Sequence, residues 1–178
     1  MRTLNSKTLN RSENNSKFYI QITLHSNNST FYILHSKFYI QIMITYNSDG
    51  VKMPKIRKRD TSAWIKAVAA TYGRKVGDVG YMFVSDEKIL EVNREYLGHD
   101  YYTDVITFDY DEDDIVSGDI VISLDTVRSN AELFGKSYDD ELHRVIIHGI
   151  LHLCGINDKG PGEREIMEAA ENKALAML

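Results

Sequence analysis

The chain of 178 residues has one cysteine, Cys154. An intramolecular disulfide framework is therefore excluded, and a reducing compartment is the simplest reading. No run of about twenty apolar residues occurs, so nothing reads as a membrane-spanning helix. Positive charge is in short supply: 21 Lys and Arg against 26 Asp and Glu give a formal net charge of -5. That balance makes no electrostatic case for tight non-specific binding of nucleic acid. A chain of this length suits one domain and can bury a substantial core without covalent cross-links.

The first 42 residues lack Ala, Val, Gly, Pro and Asp altogether and are crowded with Asn, Ser, Tyr, Phe and Ile. "SKFYIQI" occurs twice, at Ser16–Ile22 and Ser36–Ile42, too few and too short for a solenoid. This segment holds five of the 21 basic residues and one of the 26 acidic ones, a net of +4, which leaves the rest of the chain at -9. It has neither the compact apolar run nor the small-residue cleavage site of a secretory signal. Its FYI runs have strand propensity, which allows a hairpin-rich appendage. We read Met43 instead as the true start, with residues 1–42 a non-native or disordered extension and 43–178 the single domain.

From Met43 the pattern is that of an α+β domain. "MITYN" reads as a strand. Thr61 or Ser62 is placed to cap a helix through "AWIKAVAATYG", stopped by Gly73. "VGYMFVS" reads as a second strand, and Ser85 or Asp86 then caps "EKILEVNREYLG", ended by Gly98. "DVITFDY" and "GDIVISL" are strands joined by the acidic turn "DEDDIVSG". The helix "DTVRSNAELFG" follows. Ser137 with Asp140 makes a capping-box-like start to "YDDELHRVIIHGILHLCG", and "GEREIMEAAENKALAML" is a last amphipathic helix. The expected fold is one small mixed β-sheet of about four strands covered by about five helices, with a metal site at the end of a core helix.

"HGILHLCGINDKG", His148 to Gly160, carries the chemistry. Helical periodicity puts His148 and His152 on one face, one turn apart, where both imidazoles reach a single metal ion. Gly155 can end the helix in a left-handed turn that swings Asp158 back toward them. Three protein ligands leave a fourth position for water, the catalytic arrangement of zinc. Cys154 reads as a small apolar core residue. Zinc peptidases with histidines at this spacing carry a glutamate base after the first histidine; Gly149 stands there, which disfavours peptide hydrolysis. A phosphodiester can be served by metal, cation and substrate, with an RNA 2′-hydroxyl or a metal-bound water as nucleophile.

The same stretch resembles the signature of the YbeY endoribonucleases, H-G-x-L-H-L-x-G-x-D-H. "NREYLGHDYYTDVITF" (Asn93–Phe108) is similar to that family's N-x-x-Y-R-x-x-D-x-x-T-D-V-L-S-F, and "SGDIVIS" (Ser117–Ser123) to its G-D-I-x-I strand. The resemblance covers 43–178 with the motifs in the family's order. It departs at Asp158, where relatives carry a histidine ligand, and at Leu97, where they carry an arginine thought to hold RNA phosphate. It implies a zinc-dependent, single-strand-specific endoribonuclease of the cytoplasm, with one Zn2+. Its expected partners are single-stranded or ribosomal RNA and the ribosome or its small subunit, in 3′ end maturation of small-subunit rRNA and ribosome quality control. His148, His152 and Asp158 would hold the metal and act through its water, with Arg144 as a further catalytic candidate. Arg94, His99 and Lys159 are candidate RNA contacts; Arg164 reads as a solvated charge. Two other readings stay open: a zinc metallopeptidase, and a ribosome-associated binding protein with a structural metal.

Overall fold

The computed structural model of the chain describes residues 43–178 and four short strands within the first 42. These two parts are separate compact units. In the first, β1 (Lys7–Arg11) pairs antiparallel with β2 (Phe18–Ile22), and β3 (Leu24–Ser26) with β4 (Ser29–Phe31). The second "SKFYIQI" copy, 36–42, lies outside the described residues.

The second unit has the expected fold: one mixed four-stranded sheet and five α-helices among the described residues. The sheet order is β5 (Ile44–Ser48), β6 (Lys75–Val84), β8 (Ile115–Ser123), β7 (Val105–Asp109). β5, β6 and β8 are mutually parallel, and β7 runs antiparallel to β8, with Val105 opposite Ile122 and Asp109 opposite Gly118. The acidic turn between them is the hairpin-like connection its composition suggests. The C-terminal halves of β6 and β8 are covered on both faces and are apolar in short runs, Tyr81–Val84 and Ile120–Ile122. Tyr81, Phe83, Ile120 and Ile122 are wholly buried.

The helices are α1 (Lys58–Thr71), α2 (Asp86–Val92), α3 (Leu124–Leu133), α4 (Tyr138–Leu153) and α5 (Glu163–Leu175). Ser85, Ser123 and Ser137 cap α2, α3 and α4, each hydroxyl accepting from the backbone N–H three residues on. Three boundaries differ from the sequence reading. α1 starts a turn before Thr61, whose N–H already donates to Arg57 O; Thr61 is buried, and the Ser62 hydroxyl pairs with Tyr46 instead of capping. β6 begins at Lys75 rather than Val79, because a bulge between Val76 and Val79 lets its first residues pair with Ile115 and Val116. The second helix changes character at Asn93–Leu97, a π-helical turn that closes on Gly98 in the left-handed conformation.

α4 is the central helix. It packs on β7 and β8 and against α1, α3 and α5. Its Gly149 meets the sheet so closely that an added Cβ would stand 2.7 Å from Ile120 Cγ2. Tyr81 donates its hydroxyl to Ile146 O of α4, and Trp64 of α1 donates Nε1–H to Ala174 O of α5. These bonds satisfy polar atoms inside the core and fix which face of α4 is left for the site.

Candidate metal centre

His148 and His152 leave α4 toward a cleft that they share with residues of β7, while Gly149 between them meets Ile120 of β8. Their rings meet edge to face, centroids 4.4 Å apart at 89°. After Leu153 the helix closes on Gly155, whose φ of +90° is open to glycine at little cost. Ile156 N–H returns to Leu151 O at 3.0 Å, so the chain doubles back. Asp158 thereby reaches both imidazoles: its Oδ2 lies 3.6 Å from His148 Nε2 and 3.8 Å from His152 Nε2. One ligand atom from each of the three residues falls within 4.8 Å of the others.

The other face of each ring is already engaged. His148 Nδ1 lies 2.6 Å from Glu171 Oε1, and His152 Nδ1 lies 2.9 Å from Ile156 O. A carbonyl oxygen only accepts, so the His152 proton sits on Nδ1 and its neutral Nε2 presents a lone pair toward Asp158. The same reasoning orients His148 on the Glu171 carboxylate. Glu171 Oε2 in turn accepts from Arg144 Nη1 at 2.7 Å, and Arg144 Nη2 donates to Asn172 Oδ1 at 2.9 Å. A carboxylate or carbonyl behind each histidine is how metal-binding imidazoles are fixed in tautomer and orientation.

Electrostatics follow from this layout. Burial alone would lower the His148 pKa, but the hydrogen bond and charge of Glu171 outweigh it and hold the imidazole above its ordinary 6.5. Burial, and then the neighbouring His148, push His152 below that value. Burial alone would raise Glu171; its hydrogen bonds from His148 and Arg144 hold it below the ordinary 4.5.

The donor set suits a divalent ion. Two imidazole nitrogens and one carboxylate oxygen are ligands zinc accepts, and bonds of about 2.0–2.1 Å to a tetrahedral ion place donor atoms roughly 3.3 Å apart. The Nε2–Oδ2 separations of 3.6 and 3.8 Å are too long for hydrogen bonds and close to that spacing. Cys154 is no member of the group. It packs against the core, and burial pushes its thiol up to about 11, away from the thiolate a metal needs.

The three residues open into a cleft of about 510 Å³, whose far wall is the segment from Asn93 to Asp109. His99 and Lys159 line it; Leu97 stands in it where the resemblance places an arginine. Arg94 does not line it and pairs with Asp100 at 2.6 Å. Arg144 lies behind His148 on Glu171, outside the cleft, and Arg164 is exposed on α5. Glu171, Asn93, Tyr101 and Asp104 were not singled out from the sequence. Glu171 is one of several acids on an amphipathic helix, and only its burial beside His148 marks it. Asn93 is 1% exposed in a polar stretch, and its side chain donates to Tyr101 O at 2.8 Å, tying down the far wall.

Known proteins resemble the chain over its second unit. The family model described as Endoribonuclease YbeY matches residues 43–178. An Endoribonuclease YbeY of Bacteroides thetaiotaomicron is 74% identical over 134 residues, covering 75% of this chain and 98% of that relative. One from Porphyromonas gingivalis is 56% identical over 135 residues, covering 76% and 89%. A solution structure of a Thermotoga maritima protein superposes with a TM-score of 0.55 at 31% identity, covering 76% of this chain and 88% of its own. The chain belongs to the YbeY endoribonuclease family.

Proposed function

With that membership as premise, we propose that residues 43–178 form a zinc-dependent endoribonuclease that cuts single-stranded RNA. It acts in rRNA processing, at the 3′ end of small-subunit rRNA, and in ribosome quality control. Its place of work is the cytoplasm, on the ribosome or its small subunit; among the described residues no helix is long and apolar enough to cross a membrane. The observation that carries the reading is the cluster of His148, His152 and Asp158 at the mouth of an open cleft, both Nδ1 atoms engaged from behind. Residues 1–42 are dispensable in this reading, and N-terminal sequencing of the native protein checks Met43 as its start.

His148, His152 and Asp158 would hold the ion. When bound, it supplies a Lewis acid beside the phosphodiester and acidifies a coordinated water. Glu171 keeps the His148 lone pair aimed forward, and Arg144 keeps Glu171 ionised and in place. The Asp104 carboxylate lines the cleft and its charge is felt at His148, so it is our candidate to accept the proton released in the reaction. Lys159 and His99 face the substrate from opposite walls.

A metallopeptidase is disfavoured twice over. Position 149 lacks the carboxylate base, and its Cα faces Ile120 rather than the cleft, so a glutamate there would have to displace the sheet. The test is elemental analysis of untagged protein never exposed to chelator, beside assays on single-stranded RNA and on casein. About one equivalent of zinc with RNA cleavage alone supports the proposal. Less than about half an equivalent of metal, or casein hydrolysis, sinks it.

A further inference from the structure

The cleft is poorly equipped to hold a polyanion by charge. Asp104, Asp109, Asp158 and Glu163 line it, and Lys159 is the one permanent cation among its lining residues. A bound divalent ion would offset two of those four negative charges, and with Lys159 would still leave the lining at a net of -1. The wall position that could have carried an arginine is Leu97, 44% exposed. Another source of affinity is needed.

The same wall carries an exposed aromatic pair. The rings of His99 and Tyr101 stack with centroids 5.2 Å apart at 21°, and the Tyr101 hydroxyl lies 3.2 Å from His99 Nδ1. Tyr101 is nevertheless 52% exposed. Other aromatics of this protein are as exposed, Tyr102 and Phe134 among them; what distinguishes Tyr101 is that it lines the cleft of the histidine cluster and is stacked on a second ring that lines it too. The pair is also held rigidly. Buried Asn93 accepts from His99 N–H through its carbonyl at 3.2 Å and donates from its side chain to Tyr101 O at 2.8 Å. Two backbone anchors to one buried residue make a platform that loses little freedom when a ligand lands on it.

We infer that the His99–Tyr101 pair, with Leu97 beside it, is a base-stacking platform on which an unpaired nucleotide of single-stranded RNA rests while the phosphodiester lies at the metal cluster. The inference rests on the proposed ribonuclease function and specifies how that site takes its substrate: by aromatic faces, which every base can use, with few phosphate contacts. A paired base offers no free face, so the platform also accounts for a preference for single strands.

The probe is a fluorescein-labelled, single-stranded 2′-O-methyl octanucleotide, with Kd read by anisotropy on the full chain, and KM on the matching RNA. Tyr101→Ala is expected to weaken Kd by about 5- to 150-fold, the equivalent of one lost base–aromatic stack, with bound metal at the wild-type level. Tyr101→Trp should restore binding, and Phe134→Ala, an exposed aromatic on another face, should leave it unchanged. Because Tyr101→Ala could disturb the loop, a second arm uses wild-type protein and octanucleotides abasic at each position in turn; one position should lose a similar factor. The salt slope of log affinity should correspond to one or two phosphates, about -0.7 to -1.4. Tyr101→Ala binding within twofold of wild type, no sensitive abasic position, or a slope of about -3 or steeper overturns the platform alone. A wild-type protein that neither binds nor cuts any single strand overturns the proposed function with it.

Discussion

On the α4 side of the cleft the candidate metal ligands are held from behind: Glu171 holds His148, Ile156 O holds His152, and Arg144 holds Glu171. On the opposite side Leu97, His99 and Tyr101 are exposed, and the loop is tied down from beneath by Asn93. The first wall is built so that its candidate ligands cannot turn. The second is built from open surfaces that an incoming chain can cover. A metal ion is small and demands fixed donors, whereas a flexible polymer of varied bases is held better by tolerant contacts.

The largest break in this contrast comes from the ligands themselves. Asp158→Ala or His148→Ala should weaken zinc by more than the roughly 10- to 100-fold that losing an outer-shell partner costs, and abolish RNA cleavage in a domain that still melts cooperatively. Unfolding of His148→Ala would instead favour a structural metal. Unchanged zinc content in Asp158→Ala would remove Asp158 from the ligand set.

Glu171→Gln comes next. It retains an acceptor for Nδ1–H but not the charge, so zinc affinity should fall by about 10- to 100-fold, while octanucleotide binding by the His99–Tyr101 wall stays near wild type. Chelator competition and anisotropy on one preparation would show whether the two walls separate in this way. Arg144→Ala should act in the same direction and more weakly, since it removes only the partner of a partner.

The pH dependence is set by the α4 wall. A proton on His148 Nε2 competes with the metal, and the apo pKa of His148 lies above 6.5. Zinc affinity should therefore begin to fall as pH drops through a value above 6.5, by one proton per metal, with His152 joining only at lower pH because its pKa is depressed. For the metal-free protein the signs differ. The raised His148 contributes stability that is complete below pH 6.5 and is lost as pH rises through its folded value. The lowered Glu171 contributes stability present above pH 4.5 and lost as pH falls through its folded value. Thermal melts of apo protein across pH should show the pair's contribution only between those two limits.

The smallest expected effect sharpens the loop side. Leu97→Arg should steepen the salt slope of RNA affinity by about 0.7, one phosphate contact, with zinc retention unaltered. No change in slope would mean that position 97 does not face the RNA backbone.

Much of the fold was legible because the relevant signals are local. Serines before apolar helical runs marked α2 and α4, and the alternation from helix to strand patterns marked the mixed sheet; the Ser123 cap of α3 emerged only with the structure. α1 was misplaced by a turn because Thr61, a good capping residue by type, is buried inside the helix. In the sequence Gly149 shows only the lack of a peptidase base; in the fold it is where α4 touches Ile120, a contact no periodicity announces.

The histidine pair, the glycine that ends the helix and the aspartate three residues later lie within eleven residues of chain, so helical spacing and one turn suffice to gather them, and the sequence by itself determined that set. What tertiary structure decided is how the set is held and what it faces. Glu171 reaches His148 from 23 residues away, and Arg144 reaches Glu171 from 27. Those contacts exist because α5 packs beside α4, and helix packing depends on side chains along both helices rather than on any local pattern. The far wall came from a β7-side loop for the same reason: proximity across a cleft is set by the sheet, not by neighbours in the chain.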